Sequence, residues 1–157
     1  RALALNPELL FADEPTTNLD VTIQAQVLDL LKHLKKSKQM SLIIITHDMG
    51  VVASITQRIT VLYAGMVAET ADTKTLFKNP KHPYTRQLLD AVPRPDVKKR
   101  MEPIPGNIPQ LISPPTGCRF HPRCKYAEKI CSEKIPVLEP VSKNHFVSCH
   151  RWKEIKF

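Results

Sequence analysis

The sequence predicts an α/β fold, in which a parallel sheet with helices is followed by an irregular extension. Two short apolar runs, Leu9–Ala12 and Leu42–Ile45, have the length and the residue types of buried strands. The stretch between them places apolar residues at helical spacing. A strand, a helix and a strand within about 40 residues form a βαβ unit, whose two strands are parallel. A change in composition near residue 80 predicts that the rest of the chain is built differently.

The predicted elements follow one another along the first half of the chain. Asp20 is a predicted N-cap for the first helix, because its carboxylate can accept hydrogen bonds from free backbone N–H groups. The apolar side of that helix is formed by Ile23, Val27, Leu30, Leu31 and Leu34. After the second strand, the pattern predicts a short helix over 49–54, a hairpin of 59–63 and 66–70, a helix over 73–78 capped by Asp72, and a helix over 85–91.

Charge and proline content divide the 157 residues near residue 79. Residues 1–79 carry as many acidic as basic side chains, so the whole net charge of +8 comes from residues 80–157. The same second part holds 12 of the 14 prolines and all four cysteines. We therefore expect two domains with the boundaries 1–79 and 80–157, the second being an extension that lies on the surface of the first.

Several classes of protein and of site are excluded by what the sequence lacks. None of its four glycines lies in a loop of the form G-x-x-x-x-G-K-S/T, which cradles nucleotide phosphates. No apolar run approaches the ~18 residues of a membrane span, and no signal peptide is visible. Because residue 1 is an arginine within an apolar alternation, we expect a piece cut from a longer chain. Without a secretory signal, thiols or metal ligands are expected rather than disulfides.

Ionisable side chains follow both strands of the predicted βαβ unit. Asp13 and Glu14 come directly after the first strand, and His47 follows the second. Because ligands bind outside the carboxyl ends of parallel strands, we expect the three side chains at one edge of the sheet. One carboxylate suits Mg²⁺, the next can deprotonate water, and an imidazole can hydrogen-bond a phosphate oxygen. The alternative is structural, since Asp-Glu is common in turns and Thr-His-Asp is common as a helix cap.

The residues around these side chains resemble three linked motifs of ABC-type ATPases. The segment 9–20, LLFADEPTTNLD, resembles the Walker B motif and the D-loop, and the segment 43–48, IIITHD, resembles the switch-histidine segment. The resemblance implies that Asp13 helps to hold the Mg²⁺ of ATP, that Glu14 activates the attacking water and that His47 senses the γ-phosphate. It also implies that Asp20 lies at the contact between two nucleotide-binding domains. Thr17 and Asn18 stand where many members have Ser and Ala.

The same resemblance implies that part of the catalytic machinery precedes residue 1. In this family the Walker A loop, the glutamine loop and the signature motif all come earlier in the chain, and residues 1–6 resemble the end of the signature helix. We therefore expect residues 1–157 alone neither to hydrolyse ATP nor to bind it tightly.

The second half resembles one ABC subfamily, the ATP-binding subunits of oligopeptide, dipeptide and nickel importers. Three segments carry this resemblance: 79–89, NPKHPYTRQLL; 104–109, IPGNIP; and 117–124, GCRFHPRC. It implies an ATPase at the cytoplasmic face of the membrane, whose partners are a second ABC ATPase subunit, transmembrane permease subunits and, indirectly, a peptide-binding protein. The residues do not separate peptide from nickel as cargo.

A rival hypothesis is a non-transport ABC ATPase that acts on nucleic acid or ribosomes. Only residues 98–100 form a basic run, and the few aromatic residues of the extension do not suggest a stacking platform, so no nucleic-acid partner is expected. A basic surface could equally face anionic lipid headgroups.

Cys118, Cys124, Cys131 and Cys149 are candidate metal ligands. No C-x-x-C pair, typical of zinc sites, occurs among them, whereas the ligand spacing of iron–sulfur clusters is less constrained. The subfamily resemblance favours a 4Fe-4S cluster, with zinc or uncoordinated thiols as alternatives. Arg119, Arg123 and Lys125 would offset the negative charge of the thiolates. The nearby histidines, which could replace a cysteine at zinc, are His121, His145 and His150.

Overall fold

The structure, a computed structural model, describes residues 2–92, 104, 106–107 and 109–157. The chain divides into two compact units, Arg1–Thr56 and Gln57–Phe157, called here the N-terminal and the C-terminal unit. Most of the stretch 93–108, with the basic run 98–100 and parts of the motif 104–109, lies outside the described residues. Among the residues that are described, no helix has the length and hydrophobicity needed to cross a membrane.

The N-terminal unit contains the predicted βαβ arrangement. Strand β1 (Leu9–Asp13) pairs in parallel with β2 (Ser41–Ile45), and helix α1 (Val21–Ser37) connects them. Helix α2 (Met49–Ile55) follows β2. The prediction of two parallel strands joined by a helix is therefore confirmed.

The core of the N-terminal unit lies between its helices and one face of the β1–β2 pair. Its side chains are Leu28, Leu31, Val51 and Ile55, packed against the partly buried Leu10, Val27, Leu42 and Ile44. Residues alternate between the two faces of a strand, so the neighbouring apolar side chains point the other way. Accordingly, Leu9, Phe11, Ile43 and Ile45 are exposed within this chain.

The C-terminal unit is built on an antiparallel sheet with the strand order β3-β4-β6-β5. Strands β3 (Arg58–Tyr63) and β4 (Met66–Asp72) form the predicted hairpin, which is confirmed. Strands β5 (Glu139–Ser142) and β6 (His145–Val147) come from the second half of the chain, and β6 pairs with β4. The prediction of an irregular extension is therefore wrong for these residues, because β4 offers a free ladder of backbone N–H and C=O groups to which β6 adds.

The pairing of β6 with β4 joins residues from both sides of the predicted domain boundary in one unit. The compact units divide after Thr56, whereas charge and proline content change near residue 79. The hairpin and the cysteine-bearing segment share one unit. The boundary 1–79 and 80–157 stays a prediction about composition and family origin.

The remaining helices of the C-terminal unit are short. They are α3 (Thr73–Lys78), α4 (Pro83–Asp90) and α5 (Lys129–Glu133), with a 3₁₀ turn at His121–Arg123. Asp72 is at the N-cap position of α3, but its side chain makes no capping hydrogen bond, contrary to the prediction. Helix α4 begins earlier than predicted, because Pro83 suits the first helical position and His82 Nδ1 accepts a hydrogen bond from the Tyr84 N–H at 3.0 Å.

A buried carboxylate ties these elements together. Glu69 on β4 is fully buried and accepts hydrogen bonds from the backbone N–H groups of Lys81 at 2.7 Å and His82 at 2.9 Å. Its Oε1 also lies 2.7 Å from Nε2 of His145 on β6. Beside this network, Tyr63, Tyr84 and Phe120 form an aromatic cluster with ring centroids 4.6–5.3 Å apart. The segment 79–89 is thus held by polar contacts at His82 and aromatic contacts at Tyr84.

Candidate functional site

The carboxyl ends of β1 and β2 bring Glu14 and His47 into direct contact. Asp13 pairs with Ile45 at the end of the strand ladder, and the Glu14 N–H donates to the Ile45 carbonyl at 2.8 Å. This fixes the backbone from which the Glu14 side chain projects. His47 Nδ1 lies 2.9 Å from Glu14 Oε1. The expectation that the strand ends place these two side chains together agrees with this geometry.

Glu14 is held in an uncommon backbone conformation and by a second hydrogen bond. Its φ of +43° lies in the left-handed region, which costs a non-glycine residue about 1–2 kcal/mol. The Thr17 hydroxyl donates to Glu14 Oε2 at 2.7 Å. The hydrogen bonds from Thr17 and then from His47 lower the pKa of the Glu14 carboxyl, so it is ionised at neutral pH. Strained residues of this kind cluster at functional sites.

The pair is open to solvent. The side chain of Glu14 is 44% exposed and that of His47 is 78% exposed. A water molecule or a phosphate could therefore reach both groups without a change in the fold. An ionised carboxylate beside an imidazole can accept a proton from water and hydrogen-bond an anion.

The other two predicted residues of this site have different surroundings. Asp13 is exposed at the last position of β1, where a carboxylate suits a hard cation such as Mg²⁺. Asp20 is the N-cap of α1, and its Oδ1 accepts hydrogen bonds from the Thr22 and Ile23 N–H groups, both at 3.0 Å. The structure thus gives Asp20 a capping role, and its role at a dimer contact remains a prediction.

The contact that Gln24 on α1 makes with the segment 43–48 was not predicted from the sequence. Asp48, which follows His47, caps α2 by accepting hydrogen bonds from Gly50 and Val51, and Gln24 Nε2 donates to its second oxygen at 3.2 Å. Partial burial would raise the pKa of the Asp48 carboxyl, but these hydrogen bonds outweigh burial and lower it. The helix-cap alternative therefore describes Asp48, while His47 faces Glu14. No spacing rule would have paired Gln24 with Asp48.

The four cysteines of the C-terminal unit all line one cavity. Cys118, Cys124, Cys131 and Cys149 are free thiols, and the cavity wall is completed by side chains that include Phe120, His121 and His150. The Cys118 N–H donates to the Cys131 carbonyl at 2.8 Å, which joins two of the segments. However, among the described residues no three His, Cys, Asp or Glu side chains are placed so that they could hold a metal ion. The cysteines converge, but their thiols would have to move to share one metal centre.

Burial favours the protonated thiol at Cys118, Cys124 and Cys149. It raises the pKa of Cys118 and Cys124, and it raises that of Cys149 to about 12, with the neighbouring thiols adding to each increase. The cation whose charge lowers the pKa of Cys124 is Arg151. The predicted Arg119 instead donates to the Ala64 carbonyl.

The remaining predicted cations and histidines have other contacts. Arg123 donates to Tyr63 Oη at 3.3 Å and to the Ile104 carbonyl at 3.0 Å, and the Lys125 ammonium lies 5.1 Å from the Tyr126 ring centroid. His121 Nδ1 contacts the Cys118 carbonyl at 2.9 Å, and His150 Nε2 contacts the Lys134 carbonyl at 2.8 Å. Backbone contacts at one nitrogen leave the other nitrogen of each ring as the atom that could meet a metal.

Comparison with known proteins gives the family context of both units. Residues 68–131 match the family model described as the oligopeptide/dipeptide transporter, C-terminal region. Over 98% of its length, the chain is 48% identical to a putative peptide import ATP-binding protein of Brucella melitensis, of which it covers 48%. The resemblance to peptide-import ATP-binding proteins is confirmed. A dipeptide transport ATP-binding protein of Caldanaerobacter subterraneus is 44% identical over 98% of the chain, and an oligopeptide transport ATP-binding protein of Bacillus subtilis is 44% identical over 96%.

The similarity covers nearly all of this chain but only part of each relative. The chain spans about half the length of the curated relatives it matches. The names of these relatives refer to peptides and to ATP binding.

Proposed function

We propose that residues 1–157 supply the water-activating part of the nucleotide site in an ATP-hydrolysing subunit that energises peptide import. The observation that carries this proposal is the contact between Glu14 and His47 at the ends of two parallel strands. The names of the relatives, which pair ATP binding with peptide import in one and with oligopeptide transport in another, support the reaction and the cargo.

In this proposal the two side chains have separate roles. The ionised Glu14 carboxylate orients a water molecule and accepts its proton as the water attacks the γ-phosphate of ATP. His47 is near enough to Glu14 to hydrogen-bond a γ-phosphate oxygen as negative charge develops there. Asp13 would hold the Mg²⁺ of bound ATP, which neutralises charge on the phosphates when it is present.

The proposed partners follow from the same assignment. A second ABC ATPase subunit would face the D-loop at Asp20, and transmembrane permease subunits would take up the motion of the closing ATPase pair. A peptide-binding protein would deliver the cargo, and the subunit would lie at the cytoplasmic face of the membrane. No nucleic-acid partner is proposed.

Replacement of Glu14 by Gln in the complete subunit tests the assignment. We expect ATP hydrolysis to fall by at least about 100-fold, because the general base is lost, while ATP binding is retained. Glu8→Gln is the matched control, because Glu8 is an exposed carboxylate just before β1. Unchanged turnover by the Glu14→Gln protein would exclude Glu14 as the base. Residues 1–157 alone, without a G-x-x-x-x-G-K-S/T loop, are expected to show no hydrolysis.

We also propose that the four cysteines bind a metal centre, a 4Fe-4S cluster in the first place and zinc in the second. Four free thiols that line one cavity, three of them outside helices and strands and Cys131 in the short helix α5, support this. A positive centre would reverse the electrostatics of the cavity, because it favours the thiolates that burial disfavours. The centre would support a segment with little regular structure.

Metal analysis separates the two candidates. We expect iron and sulfide, together with visible absorption, in protein purified without oxygen. Cys149→Ser should lower the metal content, and Ser132→Ala, next to Cys131 but without a thiol, is the control. Stoichiometric zinc without visible absorption would exclude the cluster.

A further inference from the structure

The Thr17 hydroxyl is the second partner of the Glu14 carboxylate. His47 Nδ1 lies 2.9 Å from Oε1, and Thr17 Oγ1 lies 2.7 Å from Oε2. Each carboxylate oxygen therefore has its own partner, and the two partners come from different segments. We propose that Thr17 is a positioning residue for Glu14 in ATP hydrolysis, an inference that rests on the proposed function above.

A second hydrogen bond to the Glu14 carboxylate prevents a rotation that a single hydrogen bond would allow. The terminal torsion of a glutamate is broad, so a carboxylate held only through Oε1 can still turn about its last bond. A hydrogen bond to Oε2 sets the plane of the carboxylate and hence the direction of the lone pairs that receive the water proton. A misplacement of about 1 Å at such a group can cost a large factor in rate.

The backbone places the hydroxyl where this contact can form. The Thr17 N–H donates to the Glu14 carbonyl at 3.2 Å, which closes a turn. Glu14 and Asn18 both have positive φ, at +43° and +62°, so the chain folds back on itself around the turn. Thr16 is buried and anchors the turn, whereas Thr17 is exposed and does not serve the core. The hydroxyl of Thr17 is therefore available for Glu14.

The electrostatic effect agrees with the geometry. Among the groups that act on Glu14, the hydrogen bond from Thr17 makes the largest contribution to its lowered pKa, ahead of His47. His47 is the titratable group that contacts Glu14 in the described part of the chain. The Thr17 hydroxyl therefore stabilises the charged form of the Glu14 carboxylate.

Two substitutions of Thr17 test the inference in the complete subunit assembled in its transporter. Thr17→Val keeps the shape and removes the hydroxyl, and we expect kcat to fall about tenfold with KM for ATP changed by less than about twofold. Thr17→Ser, which keeps the hydroxyl, should restore kcat. Thr22→Val, at an exposed threonine of α1, should leave both kcat and KM unchanged.

The outcomes separate this inference from the proposed function. If Glu14→Gln abolishes turnover and Thr17→Val has the kcat and the KM of the unsubstituted protein, the role of Thr17 is wrong and the function stands. If Glu14→Gln retains turnover, the proposed function fails, and the role of Thr17 fails with it. Equal losses in Thr17→Val and Thr17→Ser, or a rise in KM with kcat unchanged, would also overturn the positioning role.

Discussion

In the part of the chain that the structure describes, two Glu–His pairs have similar nitrogen–oxygen distances but opposite surroundings. In the N-terminal unit, Glu14 and His47 lie 2.9 Å apart and are 44% and 78% exposed. In the C-terminal unit, Glu69 and His145 lie 2.7 Å apart and are 0% and 3% exposed. An exposed pair adds little to stability but can exchange protons with water, whereas a buried pair is costly to break. The same two residue types therefore point to chemistry in one unit and to structure in the other.

Phe120 is a buried aromatic residue of the C-terminal unit, and its substitution is expected to have the largest effect on the free energy of unfolding. Phe120 is 1% exposed and lies within the ring cluster of the C-terminal unit. We expect Phe120→Ala to lower the free energy of unfolding by about 4 kcal/mol, because it opens a cavity. Urea unfolding of residues 1–157, followed by the fluorescence of the only tryptophan, Trp152, measures this. Phe157→Ala, at a 42% exposed ring, is the control, and an equal loss there would contradict the contrast.

The two Glu→Gln substitutions compare the pairs directly. Glu69→Gln leaves an amide facing the N–H groups of Lys81 and His82, so a donor meets a donor. We expect a loss of about 3 kcal/mol in the free energy of unfolding of the C-terminal unit, measured with Trp152 as above. Glu14→Gln should leave the unfolding midpoint unchanged, although we expect it to abolish hydrolysis in the complete subunit. A stable Glu69→Gln protein would show that the buried pair is not a structural tie.

The burial of His82 makes the stability of the C-terminal unit depend on pH. Burial lowers the pKa of His82 to about 4, against an ordinary value of 6.5. Below pH 6.5 the unfolded chain binds a proton at His82, whereas the folded unit does so only near pH 4, so acid favours the unfolded chain. For metal-free residues 1–157, we expect this group to lower the free energy of unfolding by about 2 kcal/mol between pH 7 and pH 5.

An asparagine at this position provides the control. His82→Asn can still accept the Tyr84 N–H and cap α4, but it does not titrate. The pH dependence between pH 7 and pH 5 should therefore be reduced by that amount. An unchanged dependence in His82→Asn would assign it to other groups and contradict the role of His82.

The sequence predicts the N-terminal unit better than the C-terminal unit, for physical reasons. Strand β1, helix α1 and strand β2 carry their periodicity within a few residues, so local pattern is enough. Strands β5 and β6 are only four and three residues long, and their pairing depends on β4, which is far away in the chain. No local pattern contains that information.

The side-chain contacts also differ in how far the sequence predicts them. The ends of adjacent parallel strands predict the meeting of Glu14 and His47, because topology alone places them at one edge. The contact of Thr17 with Glu14 depends on positive φ values in the turn, which neither residue type signals. Burial of Glu69 runs against the usual exposure of glutamate and depends on a histidine 76 positions later.

We expect the smallest effect on stability at Phe11. This phenylalanine belongs to the N-terminal unit and, unlike Phe120, is exposed. It is 62% exposed on β1, beside the exposed Ile43 and Ile45 of β2. We expect Phe11→Ala to change the local stability by less than about 1 kcal/mol, since little apolar surface is returned to water. Hydrogen exchange of the α1 amides in residues 1–157 measures this. A loss as large as that of Phe120→Ala would mean that this strand face is covered in solution, for example by a second copy of the chain, and dilution would then reduce the protection.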